Sequence, residues 1–315
     1  MAVDTYYTDR LAATLVEETT EGTFLQPVAG DAVIDLNAEM ITPDIGTVQG
    51  MASSNGKFSV GRYYKGKQSL DTTIHTTLME PVDSTNAGTI EQAPIFLASG
   101  FRLEDGATHK KLVYDGEASC TTLSMTAVNI GCGTGTTGAG WDIRGMRTSV
   151  EIVAEASGAP FMINATAKGC VEDYSQAKTV VSKVYANDAD QRNVEFFLGG
   201  FVFDGVATAV GSITIAMNVT QKVRGDASKE GGAEVVVSTK YEPKVTITAP
   251  VGVDTAAWWQ NVLDAKVIAA MVYTGTYCDI TIANMSIANH SQADDEGELA
   301  MTQELSFESI EIQYK

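Results

Sequence analysis

The chain has few basic residues for its size. Its 315 residues include 21 Lys and Arg against 40 Asp and Glu, which gives a formal net charge of −19. A protein that grips nucleic acid needs cations to neutralise phosphates, so this balance argues against nucleic-acid binding. An acidic surface is still compatible with DNA that moves past without sticking. Hydrophobic residues make up 44% of the chain and charged residues 19%, which excludes a disordered protein.

Long apolar runs and cysteine pairs are also missing. The longest apolar run, VIAAMVY at residues 267–273, is too short to span a bilayer. The opening MAVDTYYTDR lacks the basic and apolar regions of a signal peptide. The four cysteines are widely spaced, without a C-x-x-C pair, and each lies in or beside an apolar β-like segment. We expect reduced cysteines that act as small hydrophobes in a reducing cytoplasm, with a Cys120–Cys132 bridge as the alternative.

Motifs for catalysis and metal binding are missing as well. His75, His109 and His290 are isolated, and none forms H-E-x-x-H or lies at metal-ligand spacing from a cysteine. There is no G-x-S-x-G nucleophile elbow. The acidic cluster ADDEGE at residues 293–298 lacks the ligand spacing of a calcium loop, so we expect a solvated loop. The sequence therefore predicts a protein that is not an enzyme, with no catalytic, cofactor or metal site.

One glycine-rich stretch, GCGTGTTGAG at residues 131–140, has the spacing of a nucleotide-binding loop. Gly133, Gly135 and Gly138 form G-x-G-x-x-G. That fingerprint must open a helix, whose N-terminus meets the phosphate. The residues that follow here, WDIRGMRTSVEIVAE, alternate as in a strand. We predict a hairpin loop that packs against a neighbouring subunit, with glycines that are free to take up positive φ.

Alternating segments rich in Thr, Val and Ile dominate the rest of the chain. Period-two alternation punctuated by Gly, Asn and Asp is typical of antiparallel strands with one buried face. His75 falls within one such segment and is expected at a surface or an edge. We predict strands at residues 69–80, 119–130, 148–156, 160–168, 212–223, 233–249, 278–288 and 300–314.

Two segments predict short helices. Residues 91–101 (EQAPIFLASGF) are short and apolar, and residues 254–266 (DTAAWWQNVLDAK) begin with the N-cap residue Asp254. Trp258 and Trp259 could suggest a ligand platform. We expect them instead to pack onto a sheet as an aromatic stripe.

The two halves of the chain share an order of elements. Each half runs through strands, a helix, a strand and a pair of long strands around a polar loop. This order predicts a mainly β fold of two tandem antiparallel β-sandwich domains, each with a short flanking α-helix, at residues 1–175 and 176–315. In this interpretation, the glycine-rich stretch at 131–140 corresponds to NHSQADDEGE at 289–298.

One basic island stands out in this acidic chain, at residues 57–68 (KFSVGRYYKGKQ). It fits a docking surface for an acidic partner, including another copy of the chain. A hairpin tip with solvated lysines is the alternative. The island consists of Lys57, Arg62, Tyr63, Tyr64, Lys65 and Lys67.

The order of motifs resembles the tail tube proteins (major tail proteins) of tailed bacteriophages. Residues 17–33 (EETTEGTFLQPVAGDAV) are similar to the start of that family, with E-x-x-x-G-T before a proline and an apolar strand. The basic island then leads into HTTLMEP and APIFLASGFRLEDG, similar to the family's extended strand and short helix. The strongest match is residues 144–173, a strand, a G-x-P turn and a strand that closes on Gly169. The later FFLGGFVFDGVATAVGSITIAMNV resembles the opening strands of the family's second half.

The resemblance implies a structural protein of the virion, whose rings stack into a hollow tube that delivers DNA to the host. Inner sheets would join around the ring into a continuous β-barrel, which removes exposed strand edges. An acidic lumen would repel DNA phosphates, so the genome would pass without being gripped. Two tube modules in one chain favour a trimer with pseudo-sixfold symmetry over a hexamer.

The resemblance also implies partners and a location. The partners are copies of the chain itself and other tail proteins, such as the tape measure, terminator and distal tail proteins, with no membrane and no cofactor. The protein would be assembled in the host bacterial cytoplasm and reside in the phage tail. Contacts between subunits are expected at the basic island and the glycine-rich stretch: Lys57, Arg62, Tyr63, Tyr64, Lys65, Lys67, Gly133, Gly135 and Gly138.

Two other functions stay open at this point. The first is a soluble β-sandwich binding module, which would bind carbohydrate or protein as a monomer. The second is another virion component, a head-tail connector or a decoration protein, which would differ from a tube subunit in copy number.

Overall fold

A computed structural model of the chain has a mainly β fold with two short helices. Among the residues that it describes, no helix is long and apolar enough to cross a membrane. The described residues are 6–28, 37–38, 41–49, 63–78, 92–105, 110–117, 121–131, 137–155, 159–179, 200–226, 228–229, 232–252, 255–295 and 298–315.

The first part of the chain ends with its two longest strands. The elements are, in chain order, β1 (Tyr6–Glu17), β2 (Asn37–Ala38), β3 (Thr42–Gln49), β4 (Tyr63–Thr77), α1 (Ala93–Ala98), β5 (Arg102–Asp105), β6 (Lys110–Tyr114), β7 (Leu123–Gly131), β8 (Thr137–Glu155) and β9 (Met162–Thr179).

The second part follows a similar plan. Its elements are β10 (Gly200–Phe203), β11 (Val206–Ala207), β12 (Ser212–Ala216), β13 (Thr220–Gly225), β14 (Ala233–Lys240), β15 (Lys244–Pro250), α2 (Ala256–Leu263), β16 (Val267–Thr274), β17 (Cys278–Asp295), β18 (Glu298–Ser306) and β19 (Ser309–Tyr314).

Alternating burial explains why these segments are strands. In β19, Ile310, Ile312 and Tyr314 are buried, whereas Glu311 and Gln313 between them are not. The apolar side chains of one face leave water together, and the polar ones stay at the surface. The sequence prediction of a mainly β protein is confirmed.

Three of the predicted strands are each divided in two. The chain turns between β12 and β13, between β14 and β15, and between β18 and β19. At the first turn, Asn218 adopts a positive φ of 47°, which interrupts the extended backbone. At the last turn, the N–H of Phe307 donates to the carbonyl of Pro243 at 3.3 Å instead of continuing the ladder.

Both predicted helices are present, each near its predicted position. All six residues of α1 are buried, so this short apolar helix lies inside the core. Helix α2 begins after Thr255 as N-cap, one residue later than the predicted Asp254, which lies outside the described residues. The predicted aromatic stripe is only half right, because Trp258 is buried and Trp259 is 44% exposed.

The two halves repeat one strand order. Across the sheet, the first half runs β1–β7–β8–β9–β4–β3. The second half runs β10–β16–β17–β18–β15–β12. In both halves the six strands occur in the same order along the chain, and the helix lies between the third and the fourth. The halves are therefore topological repeats.

The predicted correspondence between the two polar loops is wrong. The glycine-rich stretch joins β7 to β8, so its counterpart is the turn at residues 275–277 between β16 and β17. The acidic stretch joins β17 to β18, and its counterpart is the segment between β8 and β9. Strands β5 and β6 lie between α1 and β7, and no strands lie at the matching place between α2 and β16. Because of these extra residues, equal distances along the two halves do not mark equivalent loops.

One sheet and one core connect the halves. Strand β12 pairs with residues 151–155 of β8, and β19 pairs with β6. The rings of Phe161 and Tyr273, one from each half, lie 5.2 Å apart, and those of Tyr114 and Tyr241 lie 5.9 Å apart. A single cluster of buried side chains runs through both halves. Division into domains 1–175 and 176–315 stays a prediction.

Each half has a kink at the matching place in its fifth strand. Gly145 in β8 has φ +57°, and Asn284 in β17 has φ +54°. This left-handed region favours Gly and, among other residues, Asn. Near each kink, the pairing of the strand with the preceding strand ends: β7 pairs with β8 as far as Met146, and β16 pairs with β17 as far as Ser286.

The ribbon of β13 and β14 covers the first kink. A Cβ on Gly145 would lie only 3.0 Å from Val235 of β14. Ala233 and Val236 form a small buried cluster with Cys170 of β9. The ribbon thus packs against the first half by close contact with its kink.

Candidate assembly surface

The outward face of the sheet is continuous over eight strands, four from each half, in the order β3–β4–β9–β8–β12–β15–β18–β17. Residues that pair directly on neighbouring strands share a face. Two rows of directly paired residues cross six of these strands, from β4 to β18, and none of these residues is buried. One row is His75, Asn164, Glu151, Ala216, Lys244 and Ser306, and the next is Thr77, Met162, Val153, Thr214, Thr246 and Glu304. We call this surface the outward face.

Carboxylates outnumber ammonium groups on the outward face. Asp71 and Lys168 form an ion pair at 3.2 Å. Lys244 binds Glu304, and this hydrogen bond raises the pKa of the lysine. No ion pair involves Glu151 or Glu155 in the described part of the chain. Among the residues from β4 to β18 that share this face by direct pairing and are not buried, the charged ones are Asp71, Glu151, Glu155 and Glu304 against Lys168 and Lys244. This part of the outward face is therefore acidic.

The predicted contact residues fall partly outside the described chain. Lys57, Arg62, Gly133 and Gly135 lie outside the described residues. The others are in strands: Tyr63, Tyr64 and Lys65 open β4, where they pair with the end of β3, Lys67 follows in β4, and Gly138 lies near the start of β8. The described part of the basic island, Tyr63 to Lys67, is therefore part of the β3–β4 pair.

Lys67 already has a contact within its own chain. Its Nζ donates to the carbonyl of Val223 in β13 at 3.4 Å, and the side chain is exposed. The basic island therefore lies next to the β13–β14 ribbon.

Gly138 is required for a reason other than the one predicted. It does not have positive φ; it pairs with Ile130 on one side and Lys178 on the other. A Cβ there would lie 2.0 Å from the carbonyl oxygen of Asn129. The glycine allows close approach of two strands of its own hairpin. The predicted strand after the glycine-rich stretch is confirmed by β8.

Glu18 anchors the segment that resembles the start of tail tube proteins. Its buried carboxylate accepts four hydrogen bonds. The donors are the backbone N–H groups of Gly22 and Gly145, both at 2.7 Å, and the hydroxyls of Thr122 at 2.6 Å and Ser124 at 2.8 Å. A buried carboxylate is stable only when its oxygens are satisfied in this way. Glu18 therefore ties the end of β1 to β7 and to the kink in β8.

Arg144, next to the kink, extends this anchor to the ribbon. The buried guanidinium donates to the carbonyls of Gly22 at 3.1 Å, Ala233 at 2.8 Å and Glu234. It also forms an ion pair with Glu172 at 2.6 Å. One side chain thus joins β8, β9, β14 and the segment after β1.

The two described histidines, His75 and His290, both lie in strands. His75 is half-buried, and its Nδ1 lies 2.8 Å from Oδ1 of Asn164, in a strand with neighbours on both sides rather than at an edge. The ring of His290 lies 4.2 Å from that of Trp259. In the described ranges, no group of three or more His, Cys, Asp or Glu side chains could hold a metal ion.

Two cysteines are described, and both are free and buried. Burial raises the pKa of the Cys170 thiol to about 11 and that of Cys278 to about 12. They pack as small apolar side chains, as predicted. Cys120 and Cys132 lie outside the described residues.

Comparisons of the chain with protein-family models and with curated proteins gave no match.

Proposed function

We propose that this chain is a structural subunit of a phage tail tube, which assembles into stacked rings around a channel for DNA. The observation that carries the proposal is the outward face, eight continuous strands with equal contributions from two topological repeats. A subunit whose polar sheet lines a channel needs one unbroken face that is not covered by its own core. Long paired strands that extend beyond the sheet, such as β8, β9 and β17, would supply contacts within and between rings.

The outward face supports a lumen that does not hold DNA. Its carboxylates outnumber its lysines, and both lysines have an acidic partner. DNA phosphates would be repelled rather than bound, so the genome could slide through. Glu151 and Glu155, with no ion pair in the described part of the chain, would contribute most to this repulsion.

The repeat supports rings of three chains. If each half occupies one sixth of a ring, three chains complete the circle with pseudo-sixfold symmetry. Closure of the sheet around the ring would also remove its exposed edges. In this proposal the protein is located in the virion tail and interacts with other tail proteins at the two ends of the tube.

Electron microscopy of the purified protein tests the proposal. At high concentration, or with a tail-tip partner as nucleus, we expect rings or tubes of uniform diameter. A protein that remains monomeric at every concentration and with every partner would contradict it. Specific binding of carbohydrate or protein by that monomer would instead favour a binding module.

A further inference from the structure

The chain contains a junction between its two repeats. On one edge of β8, residues 138–146 pair with β7, and residues 151–155 pair with β12 of the second half. Ile152 and Ala154 of β8 are each only 2% exposed at this junction. Strand β12, the second strand of the second repeat, thus pairs with the part of β8, the fifth strand of the first repeat, that extends beyond β7.

The matching edge in the second repeat is open. Strand β17 pairs with β16 over residues 279–286 and, on its opposite side, with β18 and β19. Among the described residues, no strand pairs with the other edge of residues 287–295. Ser291, Gln292 and Ala293 are all exposed there. Unpaired backbone groups on such an edge are a template for another strand.

The strand that corresponds to β12 is also open on one side. In the first repeat this place is taken by β2 and β3, which pair with β4. Their other edge has no strand partner in the described part of the chain. Within the described residues, therefore, the second repeat has an edge on β17 without a partner strand, and the first repeat has an edge on β2 and β3 of the kind that pairs with it.

We infer that the open edge of β17 pairs, antiparallel, with β2 and β3 of a second copy of this chain, as β8 pairs with β12 within the chain. The inference names the contact for the self-assembly proposed above and rests on that self-assembly. The topological repeat carries it, because the same two strands already form this junction once. The partner is a second copy, because this chain itself carries both kinds of edge, as β8 and β12 show.

The register of the internal junction fixes the register between copies. A row across four strands of the first repeat runs Asn37, His75, Asn164, Glu151. Aligned on the last residue that pairs with the preceding strand, Met146 in β8 and Ser286 in β17, the equivalent row in the second repeat runs Ser212, Thr248, Thr302, Ser291. Ser291 therefore occupies the place of Glu151.

The partner of Ser291 follows from the same rows. Glu151 pairs with Ala216, which lies opposite Lys244. In the first repeat, the residue opposite the equivalent position, Asp71, is Thr42. Ser291 of one copy should therefore lie opposite Thr42 of the next.

Exposure at the two kinks agrees with this arrangement. Gly145 is covered by the β13–β14 ribbon, which continues from β12 and leads into β15. Asn284, its counterpart, is exposed. The long β3–β4 hairpin of the second copy occupies the place of the ribbon in the repeat, so it would extend toward this uncovered kink.

One difference between the two junctions lies beside Thr42. The N–H of Met217, the residue after Ala216, donates to the carbonyl of Val150 at 2.9 Å. The residue after Thr42 is Pro43, which has no N–H to donate. The junction between copies therefore ends one hydrogen bond earlier than the internal one.

Cross-linking of two single variants tests the inference. Ser291→Cys and Thr42→Cys are prepared separately in a Cys120→Ser, Cys132→Ser background and mixed under assembly conditions with a short bismaleimide. We expect cross-linked dimer to exceed that of either variant alone by about tenfold or more, because pairing raises the local concentration of the two thiols. A chain with Glu151→Cys and Ala216→Cys is the matched control, and it should cross-link only within itself.

The outcomes separate this contact from the proposed function. Rings by electron microscopy without the Ser291–Thr42 cross-link would overturn the inference and leave the tube function standing. The cross-link in a dimer that never forms rings would support the edge pairing and contradict the tube. If neither appears while the control chain cross-links internally, the edge pairing is wrong.

Discussion

At the residue scale, a few buried polar groups hold the ends of strands in place. Glu18 and Arg144 connect five segments around the kink at Gly145, and each contact is a direct hydrogen bond or ion pair. Their importance was not predicted from the sequence, because Glu18 is one of 40 acidic residues and three of its four partners lie more than 100 residues away in the chain. Only the E-x-x-x-G-T pattern marked the segment.

Loss of the Glu18 carboxylate should destabilise the fold. In Glu18→Ala, two backbone N–H groups and two hydroxyls lose their buried acceptor. We expect the free energy of unfolding, measured by urea denaturation, to fall by about 3 kcal/mol. Glu17→Ala is the control, since Glu17 is exposed and should change stability by less than about 0.5 kcal/mol. Equal effects of the two substitutions would contradict the role of Glu18.

His290 should make stability depend on pH. Burial against Trp259 lowers the pKa of its ring, whose nitrogens have no hydrogen-bond partner in the described residues. The unfolded chain then binds a proton more tightly than the folded one, so stability is full above the ordinary pKa of 6.5 and is lost as pH falls below it. We expect the melting temperature of the wild type to drop more between pH 7.5 and 5.5 than that of His290→Phe, which keeps the ring contact. Parallel pH profiles would show that His290 contributes nothing.

At the element scale, each strand and helix that the sequence predicted is present, but strands such as β1 and β3 were not predicted, and the connections were predicted poorly. Period-two alternation located every predicted strand because one face of each is buried, and this holds even where a predicted strand is divided in two. The predicted correspondence between the two polar loops was wrong because the alternation of apolar and polar residues does not show that β5 and β6 are inserted in the first half. Trp259 was expected in the core, yet only its neighbour Trp258 is, because adjacent residues of a helix point about 100° apart and Trp259 is 44% exposed.

Gly138 should be intolerant of any side chain. In Gly138→Ala the new Cβ would meet the Asn129 carbonyl oxygen at 2.0 Å, and backbone atoms cannot move aside without opening the β7–β8 hairpin. We expect the free energy of unfolding to fall by at least about 2 kcal/mol. Gly252→Ala is the matched control, because nothing lies within 4 Å of its Cβ position. A Gly138→Ala protein as stable as this control would mean that the strands lie farther apart than described.

At the scale of the whole molecule, the repeat and the outward face belong together. Four strands of each half combine into one polar surface because β8 pairs with β12 across the middle of the chain. The sequence predicted two similar halves but not their junction, since strand pairing between distant segments leaves no local pattern. It also missed the outward face, although Thr at alternate positions of several strands was a signal for it. The net charge of −19 predicted an acidic surface, and the outward face agrees with it.

The central claim is that this surface lines the channel of a ring built from copies of the chain. A cryo-electron microscopy reconstruction of the assembled protein tests it most directly. The account predicts three chains in each ring, with the outward face of all three, including Glu151 and Glu155, directed into a hollow centre. A ring in which the outward face lies on the outer wall of the tube, or a protein that forms no ring at all, would contradict it.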